Sequence, residues 1–597
     1  MRFKPDQFWS YFEWLFEQGG LFQGFLLTLV LAVLGFLVGY LVSLARSGPS
    51  EGFYAVAKVI REFFRVDLPR TSWRRIVAIG RLAFKEALRR RVLVIVAIFV
   101  VIIMFAGWFL DTESSNPARL YISFVVTATN YMVLLLALFL STFSLPAEIK
   151  SRTIYTIVTK PVRPTEIFIG RVVGFGTVGT VVLVVLGVLS YLFVVRGLRH
   201  DHADKSFSAS EMVGETTFDR SHKHTFKIGP EGLGVTSEAN GHQHTVKRTT
   251  QDGRDVFVFG PAQGELGARI PIFGKLRFTG ADGNEGSGVS VGYESEYHKW
   301  IEGASLMSAI WKFDQINESS FPNGLMMEMS LGAFRTYKGD IVTGVRGTIV
   351  LRNPDPESNV ESDRIPFVVQ EYQLDRRQIP VTVKGTKDKQ SVDLNLFKDL
   401  APNGELEVII RCEDSGQYFG MAAADVSLRA GDMPFWWNFT KGYVSIWLQM
   451  MIVICFGVMF STFLSGPVAI VATLSFLILG FFGGLATDVI NNKKEGGGPI
   501  ESLIRIVTQR GVMTDLDLGN QPLERVIKAV DRGVMESLEL LTSGLPNFNN
   551  LGTSDFLAYG VNLFGGLLGR HMTMTLGYFV LTCIVSYFFL KTREMAA

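Results

Sequence analysis

Residues 169–195, IGRVVGFGTVGTVVLVVLGVLSYLFVV, form the stretch that decides the fold, because they contain a single charged residue, Arg171. A helix of this length is about 40 Å long, which exceeds the roughly 30 Å of hydrocarbon in a bilayer. Six further runs of the 597-residue chain have the same character: 21–46, 92–110, 120–145, 442–464, 467–488 and 572–590. The sequence therefore predicts an α-helical polytopic membrane protein with about seven transmembrane helices.

The distribution of charge predicts how these helices are oriented. From Arg46 to Arg91 the chain has 12 basic and 4 acidic residues, a ratio typical of a segment on the cytoplasmic side. The loop 148–171 and the tail after residue 590 are basic as well. Alternation then places residues 197–441 and 489–571 outside. We expect a bacterial-type cytoplasmic (inner) membrane protein with a large extracytoplasmic domain, and the net charge of +2 gives no case for nucleic acid as a partner.

The segments between the apolar runs differ in kind. Residues 51–68 and 72–91 have the spacing of amphipathic helices that lie along a membrane surface. Leu406, Val408 and Ile410 alternate with Glu405, Glu407 and Ile409, and similar runs separated by turn dipeptides predict an inserted extracytoplasmic β-sandwich over about 255–428. Helical spacing returns at 499–512 and 522–541. The predicted domains are an N-terminal anchor helix (1–46), cytoplasmic amphipathic and elbow helices (47–91), three core transmembrane helices (92–196), an extracytoplasmic β-rich domain (197–441), core helices four and five (442–488), an extracytoplasmic helical segment (489–571) and the last helix with its tail (572–597).

The cytoplasmic loop 148–171, EIKSRTIYTIVTKPVRPTEIFIGR, carries the most informative pattern for function. A short amphipathic turn that includes Ile154 and Ile157 lies between charged flanks and ends at Pro161. Such a segment is too short and too charged to cross a bilayer, and it suits a groove on a cytosolic partner. A plain solvated connector would not explain its apolar face.

This loop resembles that of ABC-2 type transporter permeases, in which a glutamate, a turn with threonine, a short helix and a Lys-Pro…Arg…Glu sequence lead into a Gly-basic pair. The matching residues are Glu148, Thr153, Lys160, Pro161, Arg163, Glu166, Gly170 and Arg171. Residues 461–468 are similar to the tight cytoplasmic turn of the same family. Within the family the chain looks closest to the permeases associated with multicopper-enzyme maturation.

The resemblance implies a dimer of permeases, a homodimer or a heterodimer, in which each coupling loop rests on a separate ABC ATPase subunit that binds ATP. Residues 72–91 would be the elbow helix and 148–166 the coupling segment, with Glu148, Thr153, Ile154, Ile157, Lys160, Pro161, Arg163 and Glu166 as its coupling residues. Export is the direction that the resemblance favours. The added N-terminal span and the large outer insertion depart from the simple family pattern.

The sequence itself agrees that ATP hydrolysis belongs to a partner. The nearest glycine–lysine pair, Gly274-Lys275, lacks the glycine spacing and the following Ser or Thr of a phosphate-binding loop. We therefore expect no enzymatic activity in this chain. Two alternatives remain: a membrane-anchored extracytoplasmic binding or scaffold protein, and a membrane enzyme, for which the outer region shows no nucleophile, base and orienting group in a recognisable pattern.

Six of the eight histidines form three His-x-His pairs in the outer region: His200/His202, His222/His224 and His242/His244. In a strand the two members of such a pair project from one face, so each pair can offer two imidazoles to one metal ion. The near repeats SHKHTFK and GHQHTVK favour paired hairpins. Zinc or copper fits the ligand type. The competing interpretation is a polar hairpin with solvated histidines, since neither a cysteine nor an obvious carboxylate completes a site.

Overall fold

The computed structural model describes most of the chain, and the account below is restricted to these residues. They are residues 7, 9–17, 19–89, 93–110, 117–152, 161–220, 222–237, 239–240, 242–251, 254–264, 266–289, 298–322, 324–336, 344–355, 358–369, 375–387, 390–490, 498–509 and 521–592. The chain divides into two compact units, one of Ser10–Leu266 with Phe435–Ala597 and one of Gly267–Pro434 with the first nine residues.

The first unit is mainly helical. Its α-helices are Gly20–Ser47, Pro49–Glu62, Trp73–Arg89, Leu93–Phe109, Pro117–Lys150, Pro164–Leu198, Phe435–Phe463, Gly466–Ile490, Pro499–Val507, Gln521–Ser543, Phe548–Leu551, Ser554–Ala558 and Gly565–Thr592, with π-helical turns at Glu13–Glu17 and Phe63–Asp67. The amphipathic helices predicted at 51–68 and 72–91 and the helical segments predicted near 499–512 and 522–541 correspond to helices in this series.

Six of these helices are long and apolar enough to cross a membrane: Gly20–Ala45, Pro117–Lys150, Pro164–Leu198, Phe435–Phe463, Gly466–Gly484 and Gly565–Lys591. The predicted run 92–110 forms the helix Leu93–Phe109, whose 17 residues span only about 26 Å. The described part of the chain therefore has six helices of spanning length where the sequence predicted about seven, and the difference is this short helix.

The long helices expose many apolar side chains, and a few polar groups are buried between them. On Pro164–Leu198, Val181, Val184 and Val188 are more than half exposed. Between the helices, the buried Thr129 hydroxyl lies 3.1 Å from the Tyr443 hydroxyl. Exposed apolar side chains in such number are stable only against lipid or another apolar surface, and polar groups inside must bond to each other.

The helix Trp73–Arg89, which we call the elbow helix, crosses the start of Pro164–Leu198 at very short range. Glycines make this approach feasible, as the GxxxG spacing of Gly170 and Gly174 predicts. A β-carbon placed on Gly174 would lie 2.6 Å from the Ala83 β-carbon, and one on Gly170 would lie 2.7 Å from that of Ile79. The two backbones are therefore in direct contact, with no side chain of the long helix between them.

A small antiparallel sheet, which we call the hairpin sheet, follows the helix Pro164–Leu198. Its strands are β1 Asp204–Ser208, β2 Val213–Thr216, β3 Thr225–Ile228, β4 Leu233–Thr236, β5 Thr245–Gln251 and β6 Arg254–Phe259. Each strand pairs with the next in the chain. The core of this sheet is small, with Phe226, Ile228, Val246 and Phe257 as its buried apolar members.

The second unit is the predicted β-rich domain. Its strands are β7 Ala268–Phe273, β8 Lys275–Thr279, β9 Glu285–Gly286, β10 Lys299–Glu302, β11 Ser308–Phe313, β12 Leu325–Met329, β13 Gly332–Arg335, β14 Val345–Arg352, β15 Val360–Ser362, β16 Ile365–Val369, β17 Asp375–Ile379, β18 Thr382–Lys387, β19 Gln390–Asn395, β20 Leu406–Cys412, β21 Gln417–Met421 and β22 Val426–Met433, with a π-helical turn at Leu396–Leu400 and a 3₁₀ turn at Ala423–Asp425.

Two of the sheets in this unit share one core. The larger has the order β19-β18-β15-β14-β20-β11-β8-β9, with β16 also paired to β14, and the smaller has the order β17-β12-β22-β7; a third contains β10-β21-β13. Trp311 and Leu351 of the larger sheet and Met327 and Leu428 of the smaller one belong to the same buried cluster. This is the packing of a β-sandwich.

The predicted domain 197–441 is divided at residue 266, since the hairpin sheet groups with the helices.

We predict that Gly174→Ala destabilises the protein by about 1–3 kcal/mol, because the added methyl group overpacks the contact with the elbow helix. The free energy of unfolding is measured by titrating the detergent-solubilised protein with a denaturing detergent. Gly577→Ala is the control, since no atom lies within 4 Å of the added carbon there. That change is expected to be neutral or to stabilise the helix by up to about 1 kcal/mol. Equal effects of the two substitutions would show that the close crossing is not formed.

Candidate functional site

The structure describes half of the predicted coupling residues. Thr153, Ile154, Ile157 and Lys160 lie outside the described residues. Pro161 is exposed. Glu166 forms an ion pair with Arg75 of the elbow helix, and Glu148 forms one with Arg171. Arg163 forms an ion pair with Asp67, which is also paired with Lys591 of the last helix. We call the charged residues that make these bonds the charge belt: Asp67, Arg75, Glu86, Glu148, Arg163, Glu166 and Arg171.

Glu166 is the most buried member of the charge belt, with none of its surface exposed. It lies in the first turn of Pro164–Leu198 and receives two hydrogen bonds from Arg75 of the elbow helix, at 2.8 Å from Nε and 2.6 Å from Nη2. The backbone N–H groups of Ser72 and Arg163 also donate to it, at 2.7 and 3.0 Å. A buried carboxylate is stable only when its oxygens are bonded in this way. Glu166 thus fixes the elbow helix to the end of the loop.

Arg171 joins three helices one turn further along. Its guanidinium is 2% exposed and donates to Glu148 at the end of Pro117–Lys150 and to the Ser144 hydroxyl. Glu86 of the elbow helix lies 3.8 Å from Nη1 of the same arginine and accepts a hydrogen bond of 2.8 Å from Ser144. Removing this arginine would take one cation away from two acidic groups, which is costly in a buried place.

Asp67 extends the charge belt to the last helix. Its carboxylate receives bonds from Arg163 of the loop, from the Tyr587 hydroxyl at 2.7 Å and from Lys591 at 3.2 Å. Burial alone would raise the pKa of the Asp67 carboxyl, but the hydrogen bonds from Tyr587 and Lys591 outweigh burial and hold that pKa below its usual value. Asp67 therefore stays ionised at neutral pH and holds its basic partners.

The sequence indicated the loop side of this network but missed its partners. Asp67, Arg75 and Glu86 read as ordinary polar residues of amphipathic helices. The signal available for Arg75 is its place in the first turn of a helix whose buried face carries Ile76 and Ile79. Its pairing with Glu166, 91 residues away, follows from the helix crossing, which no local pattern specifies.

We predict that Glu166→Gln lowers the free energy of unfolding by about 2 kcal/mol, because a buried carboxylate that bonds a cation is replaced by an amide that is a weaker acceptor for it. Denaturing-detergent titration measures the change. Glu536→Gln is the matched control: it removes a carboxylate from an i,i+4 pair with Arg532 whose side chains are 56% and 80% exposed, and it is expected to cost less than about 0.5 kcal/mol. An equal loss of unfolding free energy in the two variants would contradict the role of Glu166 in fixing the elbow helix to the end of the loop.

The second candidate site is the histidine cluster, in which all six predicted histidines meet. Their exposures range from 1% for His224, His242 and His244 to 9% for His200. Nε2 of His200 lies 2.9 Å from Nε2 of His242, and Nε2 of His222 lies 3.2 Å from those of His202 and His242. The alternative of solvated histidines is therefore wrong, since the rings face one another in the interior.

Two of the three His-x-His pairs are held alike by the hairpin sheet. Thr216 and Thr236, 20 residues apart, each exchange backbone and side-chain hydrogen bonds with the second histidine of a pair, His224 and His244. The near repeats noted in the sequence thus occupy equivalent places, and Thr225 and Thr245 directly after them begin strands β3 and β5. The pair His200/His202 is supplied by the chain between Pro164–Leu198 and β1.

Hydrogen bonds orient the rings so that one nitrogen of each points inward. Nδ1 lies 2.7–3.1 Å from a backbone carbonyl oxygen in five of the six histidines, the carbonyls being those of Leu198, Thr217, Arg220, Ser237 and Gly260. A carbonyl can only accept, so Nδ1 carries the proton and Nε2 presents a lone pair. Burial lowers the pKa of His224 to about 4 and that of His242 to about 3, which keeps both rings neutral at pH 7.

This arrangement can hold a metal ion. One nitrogen from each of His200, His202, His224, His242 and His244 lies within 4.8 Å of the others. Carbonyl groups that accept from the outer nitrogen of a ligating histidine are the usual support of a metal site, because they fix the tautomer and the ring orientation. The two remaining histidines lie elsewhere: His298 bonds Asp425, and His571 lies between Ser445 and the Asn550 carbonyl.

Comparison with known proteins finds no family model and no curated protein that matches this chain.

Proposed function

We propose that the chain is the transmembrane permease subunit of an ATP-driven transporter of the ABC-2 type, coupled to a separate ATPase and working as an exporter. The observation that carries the proposal is the charge belt. It ties both ends of the loop 148–171 to the helices that would have to move, through Glu148 to Arg171 at one end and through Arg163 and Glu166 at the other.

In this mechanism the loop would transmit movement of the ATPase to the helices. Its middle would contact the ATPase, while Glu148, Arg163 and Glu166, whose side chains bond within the chain, hold its ends. A displacement of the loop would reach the elbow helix through Arg75 and the last helix through Asp67, which bonds Tyr587 and Lys591. Buried ion pairs suit such a task because their geometry is strict and a broken pair is costly. The close packing at Gly170 and Gly174 would limit independent movement of the elbow helix and the long helix.

The remaining parts of the proposal follow the same resemblance. The chain would lie in the cytoplasmic (inner) membrane of a bacterial-type cell as a dimer of permeases, with the loop inside and the β-sandwich and hairpin sheet outside. ATP binding by the partner subunits would close them and drive alternating access. The six helices of spanning length, with apolar outer faces and polar contacts inside, support a membrane location.

We predict that the double variant Ile154→Asp, Ile157→Asp loses most of its association with the ATPase while it still inserts into the membrane, because two charges replace the apolar face of the loop. The measurement is affinity purification of the tagged full chain from membranes, with mass spectrometry for a protein that contains a phosphate-binding loop and an assay of its ATP hydrolysis.

Leu233→Asp is the control for the loop variant, since Leu233 is 55% exposed in the hairpin sheet, on the side of the membrane predicted to face away from the ATPase. It should leave the association unchanged. Undiminished recovery of the ATPase with the loop variant would contradict the coupling role of the loop. Recovery of the wild-type chain without any ATPase would contradict the permease proposal itself and favour a membrane-anchored binding protein.

A further inference from the structure

The six histidine rings are arranged as the corners of an octahedron. Each ring lies beside four others, at centroid separations from 4.7 Å (His200–His242) to 5.2 Å (His202–His244) and with steep interplanar angles. Each is opposite to one remaining ring, and the three opposed pairs are His200 with His224, His202 with His242 and His222 with His244. The first histidines of the three pairs form one triangular face, with sides of 4.7 and 4.9 Å, and the second histidines form the other.

The distances between nitrogens agree with this description. Around an ion with metal–nitrogen bonds of about 2.1 Å, neighbouring ligands lie about 3.0 Å apart in an octahedron and about 3.4 Å apart in a tetrahedron. The observed Nε2–Nε2 distances are 2.9, 3.2 and 3.2 Å. The nitrogens of the opposed pairs His200/His224 and His202/His242 lie within 4.8 Å of each other, as ligands on opposite sides of one ion would.

The tautomers of these histidines bring several ring lone pairs together in the interior. His202 and His222 both direct Nδ1 to carbonyl oxygens, so their Nε2 atoms, 3.2 Å apart, are both acceptors and cannot bond each other. Nε2 of His224 and of His244 are buried and have no hydrogen-bond partner among the described residues. Lone pairs that converge in the interior repel one another and lack the bonds they had in water. A single cation at the centre removes both costs.

We propose that the histidine cluster binds one divalent first-row metal ion through six imidazole nitrogens, and that this ion is of the kind that favours octahedral coordination by nitrogen, Fe²⁺, Co²⁺ or Ni²⁺. Zinc in structural sites takes four ligands in a tetrahedron, and copper(II) favours a tetragonal arrangement. Mg²⁺, Ca²⁺ and Mn²⁺ favour oxygen ligands, and the cluster offers none. The zinc or copper that the ligand type alone suggested is therefore disfavoured by the number and geometry of the ligands.

The role of the ion is structural. With six protein ligands there is no open position for water or a substrate, which is the mark of a structural site. The hairpin sheet buries few apolar side chains of its own, and small domains of this kind commonly depend on a metal for stability. The ion would join the end of Pro164–Leu198, through His200, to both hairpins. A small cavity lined in part by Tyr121, His200, His222 and His242 adjoins the cluster.

The test begins with the full-length wild-type chain, purified in detergent without a histidine tag and without air. Elemental analysis counts the bound metal, and X-ray absorption spectroscopy of the native and the Co²⁺-loaded protein counts the ligands. We expect one ion per chain with six nitrogens at a single distance and the weak visible absorption of octahedral Co²⁺. A zinc or copper form with four nitrogens, or no metal both as isolated and after loading with FeSO₄, CoCl₂ or NiCl₂, overturns the proposal.

Single substitutions then assign the ligands. His224→Ala and His242→Ala each remove one of six ligands and should lower the affinity for Co²⁺ at least about tenfold. His298→Ala is the matched control, because His298 is equally buried but bonds Asp425 in the other unit, and its variant should bind Co²⁺ as the wild type does. Wild-type affinity in both cluster variants contradicts the assignment.

The structural role has its own readout, which needs no variant. Removal of the metal by a chelator should speed amide hydrogen exchange in strands β1–β6 by at least about tenfold and leave the elbow helix unchanged. Exchange that is the same with and without metal would contradict a structural role.

Discussion

The arrangement of the helices around the loop 148–171 depends on one buried carboxylate, that of Glu166. It lies at the beginning of the longest helix, where the unpaired N–H groups of the first turn and the partial positive charge of the helix end favour an anion. Arg75 supplies the compensating cation from another helix, and the backbone of Ser72 supplies a further donor. A buried anion without these donors would be unstable. The bonds to Glu166 therefore fix the position of the elbow helix.

The first unit buries ionisable side chains in two different ways. Near the loop, charged groups are buried in opposite-sign pairs, and Arg171 donates to Glu148 and to Ser144. At the other end of the same long helix, six histidines are buried with ring nitrogens facing each other, and among the described residues no acidic side chain bonds these nitrogens. The first arrangement pairs its charges within the protein. The second is complete only with a cation from outside, and the two ends therefore differ in what they need in order to form.

The sequence predicted most of the elements, because each depends on a local pattern. Apolar runs, amphipathic spacing and alternation identified the long helices, the elbow helix and the β-sandwich, and the short helix Leu93–Phe109 was the departure. The histidine pairs were also visible, since a His-x-His motif is local. What the sequence could not supply is contact between distant residues. The pairing of Arg75 with Glu166 and the octahedral meeting of His200, His222 and His242 arise from helix crossing and strand register, which local spacing does not encode.

The three histidine pairs come from one continuous stretch of a single chain, and this has a consequence for where the site can be completed. The last pair, His242/His244, lies some 40 residues after the first, so the cluster cannot close before this whole stretch has been delivered across the bilayer in the proposed topology. The ion would then be acquired from the outer compartment, where cytosolic metal chaperones and glutathione have no influence. Two factors would decide which ion is bound: the metals present outside the cell membrane, and the six-coordinate geometry that the histidine cluster offers.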